Sequence, residues 1–347
     1  MVSETGAPNR WILALADDLT GALEAGAKFA ECGMRARVTT KLSLAEPPDV
    51  CVVVVDTETR HLSARRAYEA VREAASAALR FAPWLIYKKT DSTLRGNIRA
   101  EFRALVELMP CRPMAYAPAY PEMGRTVRRS RLLINGVPVE ETVFADDPLD
   151  PVRESDCGAM LRGLPVEVVD GETEDDVLAV AARITATDPP ALSAGPAALA
   201  GALARLLGTR RAGLDRAWPR LERCLVVNGS RHPASAAQVT RARAAGCFEH
   251  GWRLFDGTPG GTGLERATRT GELVRRQIDA SRVDVLAIFG GDTAMGIHRA
   301  LGAAPFESWA EILPGVPLSR CGDLFWITKA GGFGAEDILC QIRRIVG

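Results

Sequence analysis

Short apolar runs rich in β-branched residues alternate with stretches of helical periodicity along the whole chain. The runs 11–16 (WILALA), 36–40 (ARVTT), 50–56 (VCVVVVD), 84–89 (WLIYKK) and 114–118 (MAYAP) read as strands. Between them, 18–32, 62–80 and 97–109 read as helices. Near-continuous apolar strands separated by helices predict a parallel sheet covered on both faces. Asn135-Gly136, within 131–142 (RLLINGVPVEET), predicts a two-residue hairpin turn. Strands at 165–170 and 191–194 and helices at 174–186 and 197–207 complete a first domain. A second series follows, with strands 224–228, 252–255, 284–289 and 324–328 and helices 233–245, 263–280, 293–302 and 335–345. The expected fold is therefore α/β: two α/β/α domains with mostly parallel sheets, spanning 1–208 and 221–347. An Arg/Trp/Pro-containing linker at 209–220 joins them, and the cleft between them is the expected ligand site.

A length of 347 residues suits two hydrophobic cores. Lys+Arg and Asp+Glu are both 43, a zero formal charge that argues against nucleic acid or an anionic membrane surface as partner. The eight cysteines, at 32, 51, 111, 157, 224, 247, 321 and 340, form no C-x-x-C pair. They read as reduced thiols, and no metal site is predicted from them. The six-residue apolar run 11–16 ends in two acids and is too short for a signal core or a membrane span, so the expected location is cytoplasmic.

In open α/β sheets ligands bind beyond the carboxyl ends of the strands, and the polar clusters of this chain fall there. Strand 11–16 runs into Asp17-Asp18-Leu19-Thr20-Gly21, and strand 84–89 into 88–97 (KKTDSTLRGN). In the second series, 224–228 leads to Gly229-Ser230, 284–289 to 290–294 (GGDTA) and 324–328 to 329–334 (KAGGFG). The first group offers carboxylates, hydroxyls, Lys88, Lys89 and Arg95, a set suited to a small polyhydroxylated acid. The second offers glycines and hydroxyls at helix starts, where free N–H groups and the helix dipole favour phosphate. Together they suggest phosphoryl transfer from a nucleotide to a hydroxy acid, with Mg²⁺ bridging phosphate oxygens.

Each motif also has a plain structural explanation. Asp17-Asp18 is met by a helix cap with a solvated neighbour, and 88–97 by a capped polar loop. Two glycines before a capping residue form a common strand-to-helix turn, and 257–263 (GTPGGTG) reads as a connection. His61, His232, His250 and His298 are scattered, and only His232, beside Ser230, invites attention. What favours function is the recurrence of such clusters at successive strand ends. Neither a Walker loop nor a G-x-G-x-x-G fingerprint is present, which disfavours an NAD(P)-linked sugar-acid dehydrogenase.

The stretches ADDLTGALEAG, KKTDSTLRGN, NGSRHPASAAQ, GGDTA and PGVPLSRCGDLFWITKAGGFG together resemble the four-carbon acid sugar kinases, through nearly the whole chain. The resemblance implies an N-terminal domain that binds a tetronate-type acid and a C-terminal domain that binds ATP. Members phosphorylate the terminal hydroxyl of threonate, erythronate or 3-oxo-tetronates. Carried over by motif, the substrate side draws on Asp17, Asp18, Lys89, Asp91, Ser92 and Arg95, with Asp17 as first and Asp91 as second choice of base and Asp18 capping the helix. The nucleotide side draws on Ser230, Gly290, Gly291, Asp292, Thr293, Gly331, Gly332 and Gly334. The expected ligands are a sugar acid, ATP and Mg²⁺, and the sequence is compatible with a homo-oligomer. The stretch from Ser230 to Gly290, about sixty residues, is shorter than in many relatives and bears on the adenine side. The rival from another class is a non-catalytic sugar-acid binding protein, which intact GGDTA and KAGGFG argue against.

Overall fold

The computed structural model of the chain describes residues 10–42, 48–147, 150–209, 218–256 and 261–347. The chain divides into two compact units, Met1–Thr209 and Arg210–Gly347. Most of the expected linker (210–217) and part of the 257–263 loop (257–260) lie outside the described residues.

The first unit contains strands β1 (Ile12–Ala16), β2 (Ala36–Thr39), β3 (Val52–Asp56), β4 (Leu85–Lys89) and β5 (Met114–Tyr116). Helices α1 (Leu19–Glu31), α2 (Ala64–Leu79) and α3 (Ile98–Leu108) lie between them in the chain. After β6 (Arg125–Arg128), β7 (Arg131–Ile134) and β8 (Val137–Pro138) come α4 (Cys157–Met160), β9 (Val166–Val168), α5 (Glu174–Thr185), β10 (Leu192–Gly195) and α6 (Ala197–Leu207). Seven strands pair in parallel in the order β2-β3-β1-β4-β10-β5-β9. All residues of β1, β3 and β4 are buried, as near-continuous apolar strands of a doubly covered sheet require. From β3 the chain crosses to β4 on the other side of β1, so the carboxyl ends of these three strands flank a switch point.

The predicted hairpin at Asn135-Gly136 joins β7 and β8, with φ of 50° and 83° at its two turn residues. A second hairpin, β6–β7, was not expected. Its turn passes through Arg129 and Ser130, both at positive φ without the usual Asn or Gly. The Asp170 carboxylate compensates by accepting from both backbone amides, at 2.6 and 2.8 Å.

The second unit contains β11 (Cys224–Asn228), α7 (Pro233–Ala244), β12 (Trp252–Asp256), α8 (Gly263–Ala280), β13 (Val285–Phe289) and α9 (Gly291–Ala300). It ends with β14 (Phe306–Leu313), β15 (Val316–Cys321), β16 (Leu324–Lys329) and α10 (Ile338–Val346). β12-β11-β13-β16 are parallel neighbours, whereas β15 and β14 continue the sheet antiparallel. That pair was absent from the sequence reading, although Pro314-Gly315, with Gly315 at φ 70°, marks its turn. α10 begins at Ile338 rather than 335, so three residues separate Gly334 from the helix start. No helix among the described residues is long and apolar enough to cross a membrane.

Candidate active site

At the switch point of the first unit, the turn after β1 carries two carboxylates with different partners. Asp18 is the N-cap of α1: its Oδ1 accepts from Gly21 N at 3.0 Å. Its Oδ2 accepts from Thr20 Oγ1 at 2.6 Å and from Arg60 Nη1 at 2.8 Å. Asp17 is buried, and its Oδ2 accepts from Arg60 Nε at 2.7 Å. Its Oδ1 is buried and has no hydrogen-bond partner among the described residues. A buried carboxylate oxygen without a donor is costly unless a ligand supplies one.

Arg60, from the loop after β3, is the hub that sequence reasoning missed. Besides Asp17 and Asp18, its Nη2 lies 3.5 Å from Asp91 Oδ1. One guanidinium thus joins the turn after β1 to the turn after β4. Asn97 clamps the Arg60 loop, its Nδ2 donating to Thr59 O at 2.9 Å and Leu62 O at 2.8 Å. The available signal was Asp56-Thr57-Glu58-Thr59-Arg60, a polar run at a third strand end.

Asp91 is saturated. Arg95 grips it through Nη2 at 2.8 Å and Nε at 3.1 Å, and the Thr93 amide donates to it at 3.0 Å. Burial alone would raise its pKa, but Arg95 and Arg60 outweigh that and hold it well below the usual carboxylate range. Asp18 is likewise held low: burial opposes its charge, and Arg60 and Lys89 more than compensate. Asp56, at the end of β3, shows the opposite behaviour. Burial and the negative charges around it push its pKa well up, and its Oδ2 lacks a partner among the described residues. Lys88 is fully buried against Glu101 at 3.1 Å and serves the core. Lys89 Nζ donates to Thr90 O at 2.9 Å and lies 3.8 Å from Glu24. A Cβ at Gly21 would sit 2.9 Å from that ammonium and 2.6 Å from Asp18 Oδ1, which explains the glycine. Ser92 is half-buried in the same loop.

In the second unit the predicted glycine turns meet. A Cβ on Gly331 would collide with the Ser230 side chain, one on Gly332 with the His232 ring, and one on Gly229 with Thr293. Gly290, at φ 111°, is the N-cap of α9, so Gly291, Asp292 and Thr293 form that helix's first turn, whose amides have no intrahelical acceptor. Carbonyls of the 330–334 loop are tied inward. Lys329 Nζ donates to Ala330 O at 2.8 Å, Gly331 O at 3.1 Å and Phe333 O at 2.7 Å. Ser235 and Gln238 of α7 take Gly331 O at 2.5 Å and Gly334 O at 2.8 Å. These bonds commit the loop's carbonyls to side chains of the same unit. Burial pulls the Lys329 pKa down to about 7. His298 is a core residue stacked on Phe306, and His232 caps α7 through Nδ1.

A sugar-binding N-terminal domain family matches residues 12–163, and a nucleotide-binding C-terminal domain family matches 260–339. Over 96% of its length the chain is 30% identical to the D-threonate kinase of Bordetella bronchiseptica, of which it covers 96%. The chain belongs to the four-carbon acid sugar kinase family. It is also 29% identical to the D-threonate kinase of Salmonella typhimurium, over 95% of this chain and 97% of that one. A Salmonella typhimurium structure described as a putative tRNA synthase has a TM-score of 0.79 at 20% identity, covering 97% of this chain and 99% of that chain, a likeness of fold alone. Within this four-carbon acid sugar kinase, Asp17, Arg60 and Asp91 all fall in the sugar-binding match. Ser230 precedes the nucleotide-binding match, yet its side chain abuts Gly331.

Proposed function

We propose that this protein is an ATP-dependent kinase that phosphorylates the terminal hydroxyl of a four-carbon sugar acid of the threonate type. The observation that carries the reading is the contrast between the two clusters: a charged one with an unpartnered carboxylate oxygen in the first unit, and three converging glycine turns in the second. In this reading the first unit holds the acid. Asp17 Oδ1 accepts the proton of the attacking hydroxyl, which a loose phosphoryl-transfer transition state releases late. Asp91, committed to Arg95 and Arg60, is better suited to positioning than to proton transfer. Asp18, Lys89, Ser92 and Arg95 frame the substrate with hydroxyl acceptors and positive charge.

The second unit would hold the nucleotide phosphates against Ser230, Gly290, Gly291, Thr293, Gly331, Gly332 and Gly334. Mg²⁺, when bound with the nucleotide, would supply neutralisation of phosphate charge. Among the described residues no cluster of three or more His, Cys, Asp or Glu could hold a metal by itself. Asp292, in the first turn of α9, is the residue that would hold a phosphate-bound Mg²⁺ through water. ATP as donor and a metabolic acid as acceptor set the reaction in the cytoplasm. The test is an ADP-release screen with ATP, Mg²⁺ and a panel of threonates, erythronates and 3-oxo-tetronates. Acid-dependent ADP formation is expected; its absence from folded protein that binds ATP would refute the proposal.

A further inference from the structure

The cations around Asp17 are almost all spoken for. Arg60 contacts three carboxylates, and Arg95 contacts Asp91 and Asp147 while lying over the Phe144 ring. Lys88 pairs with Glu101, and Lys89 faces Glu24. Arg125 differs. It opens β6, on the small three-stranded sheet β6-β7-β8 inserted after β5. It forms no ion pair among the described residues. Its Nη1 donates to the carbonyl of Met123. Its Nε is buried with no hydrogen-bond partner among the described residues.

The fold holds this guanidinium beside the site. Gly124, at φ 71°, turns the chain so that Arg125 and Tyr120 exchange backbone bonds at 2.8 and 3.0 Å. Tyr120 Oη in turn donates to Glu24 Oε1 at 3.1 Å, and Glu24 is the carboxylate that faces Lys89. Burial lowers the pKa of Arg125, while Asp91 and Glu24 attract its charge and Arg95 repels it. A half-buried guanidinium with an idle donor and no carboxylate of its own has lost water without gaining an anion.

We infer that Arg125 receives the carboxylate of the sugar acid. The inference rests on the substrate reading above and names the group that selects an acid over a neutral polyol. A planar guanidinium fork matches a carboxylate in two parallel bonds, and Nε with the adjacent Nη hydrogens is the edge that remains to be used. Arg60 and Arg95 then order the carboxylates of the site, and Arg125 reads the ligand.

The experiment is calorimetric titration of the full chain with D-threonate, with its carboxamide and with ADP, for wild type, Arg125→Gln and Arg125→Lys. Wild type is expected to prefer the acid over the amide. In Arg125→Gln, acid affinity should fall about 10- to 100-fold, the range of a charge-assisted bond. That variant should bind acid and amide alike, with ADP affinity unchanged. Arg125→Lys should keep the charge and recover part of the preference. A purely structural role would lower the melting temperature without touching the acid-to-amide ratio. If wild type binds threonate and either folded variant keeps the full wild-type preference, Arg125 is not the carboxylate partner. If wild type binds ADP but no four-carbon acid, the substrate reading fails and takes this inference with it.

Discussion

Arg60 Nε donates to Asp17 Oδ2 at 2.7 Å, while that carboxylate's other oxygen, Oδ1, has no hydrogen-bond partner among the described residues. The same guanidinium reaches Asp18 and Asp91, so three carboxylates from two strand ends share one cation.

Arg60→Met should therefore be costly. Removing one partner from a buried ionic cluster leaves uncompensated charge, a loss of about 3–5 kcal/mol in unfolding free energy. Urea denaturation followed by tryptophan fluorescence measures it. Arg60→Lys should recover only part, since an ammonium cannot span three carboxylates as a fork does. A loss under about 1 kcal/mol for Arg60→Met would contradict the hub role.

Asp91 and Asp56 predict pH effects of opposite sign. The folded pKa of Asp91 lies below its unfolded value, about 3.9. Its stabilisation is complete above that value and is lost as pH falls through the folded pKa. The folded pKa of Asp56 is raised, so stability declines as pH rises from about 3.9 through the raised value. Asp91→Asn should flatten the acid limb of the denaturation midpoint and lower stability at neutral pH. Asp56→Asn, a neutral side chain of the same shape, should leave neutral-pH stability unchanged or higher. A clear loss there in Asp56→Asn would overturn the assignment for that residue.

Gly331→Ala probes the second unit. The added Cβ collides with the Ser230 side chain, an overpacking cost of about 1–3 kcal/mol placed at the glycine turns. ADP affinity should fall about tenfold or more while threonate affinity stays at the wild-type value. Equal losses in both titrations would mean that the substitution acts on folding rather than on the nucleotide site.

The parallel sheet of the first unit was legible because the strands of its core are buried along their whole length and so are apolar without interruption. The glycine turns were legible because close backbone approach leaves few residues besides glycine. The β6–β7 hairpin was not, since Arg129 and Ser130 reach positive φ only with help from Asp170, forty residues away in the chain. β14 escaped because its partly exposed residues mix polar and aromatic side chains, and β15 because Pro317 and Ser319 interrupt its apolar pattern; only Pro314-Gly315 marks the turn. In the site, the Asp17-Asp18 pair and the 88–97 loop stood out as dense local clusters. Arg60 did not, because it gains its meaning from carboxylates that the fold brings from two other strand ends.

The most direct measurement is ³¹P NMR of a mixture of the full chain, ATP, Mg²⁺ and D-threonate, run beside Asp17→Asn. The wild-type mixture should convert ATP to ADP with a matching new phosphomonoester on the acid's terminal hydroxyl. Asp17→Asn should bind both ligands but form product about 10²–10⁴-fold more slowly. No phosphomonoester from any four-carbon acid, with ATP bound to folded protein, would contradict the kinase assignment; unchanged turnover in Asp17→Asn would contradict Asp17 as its base.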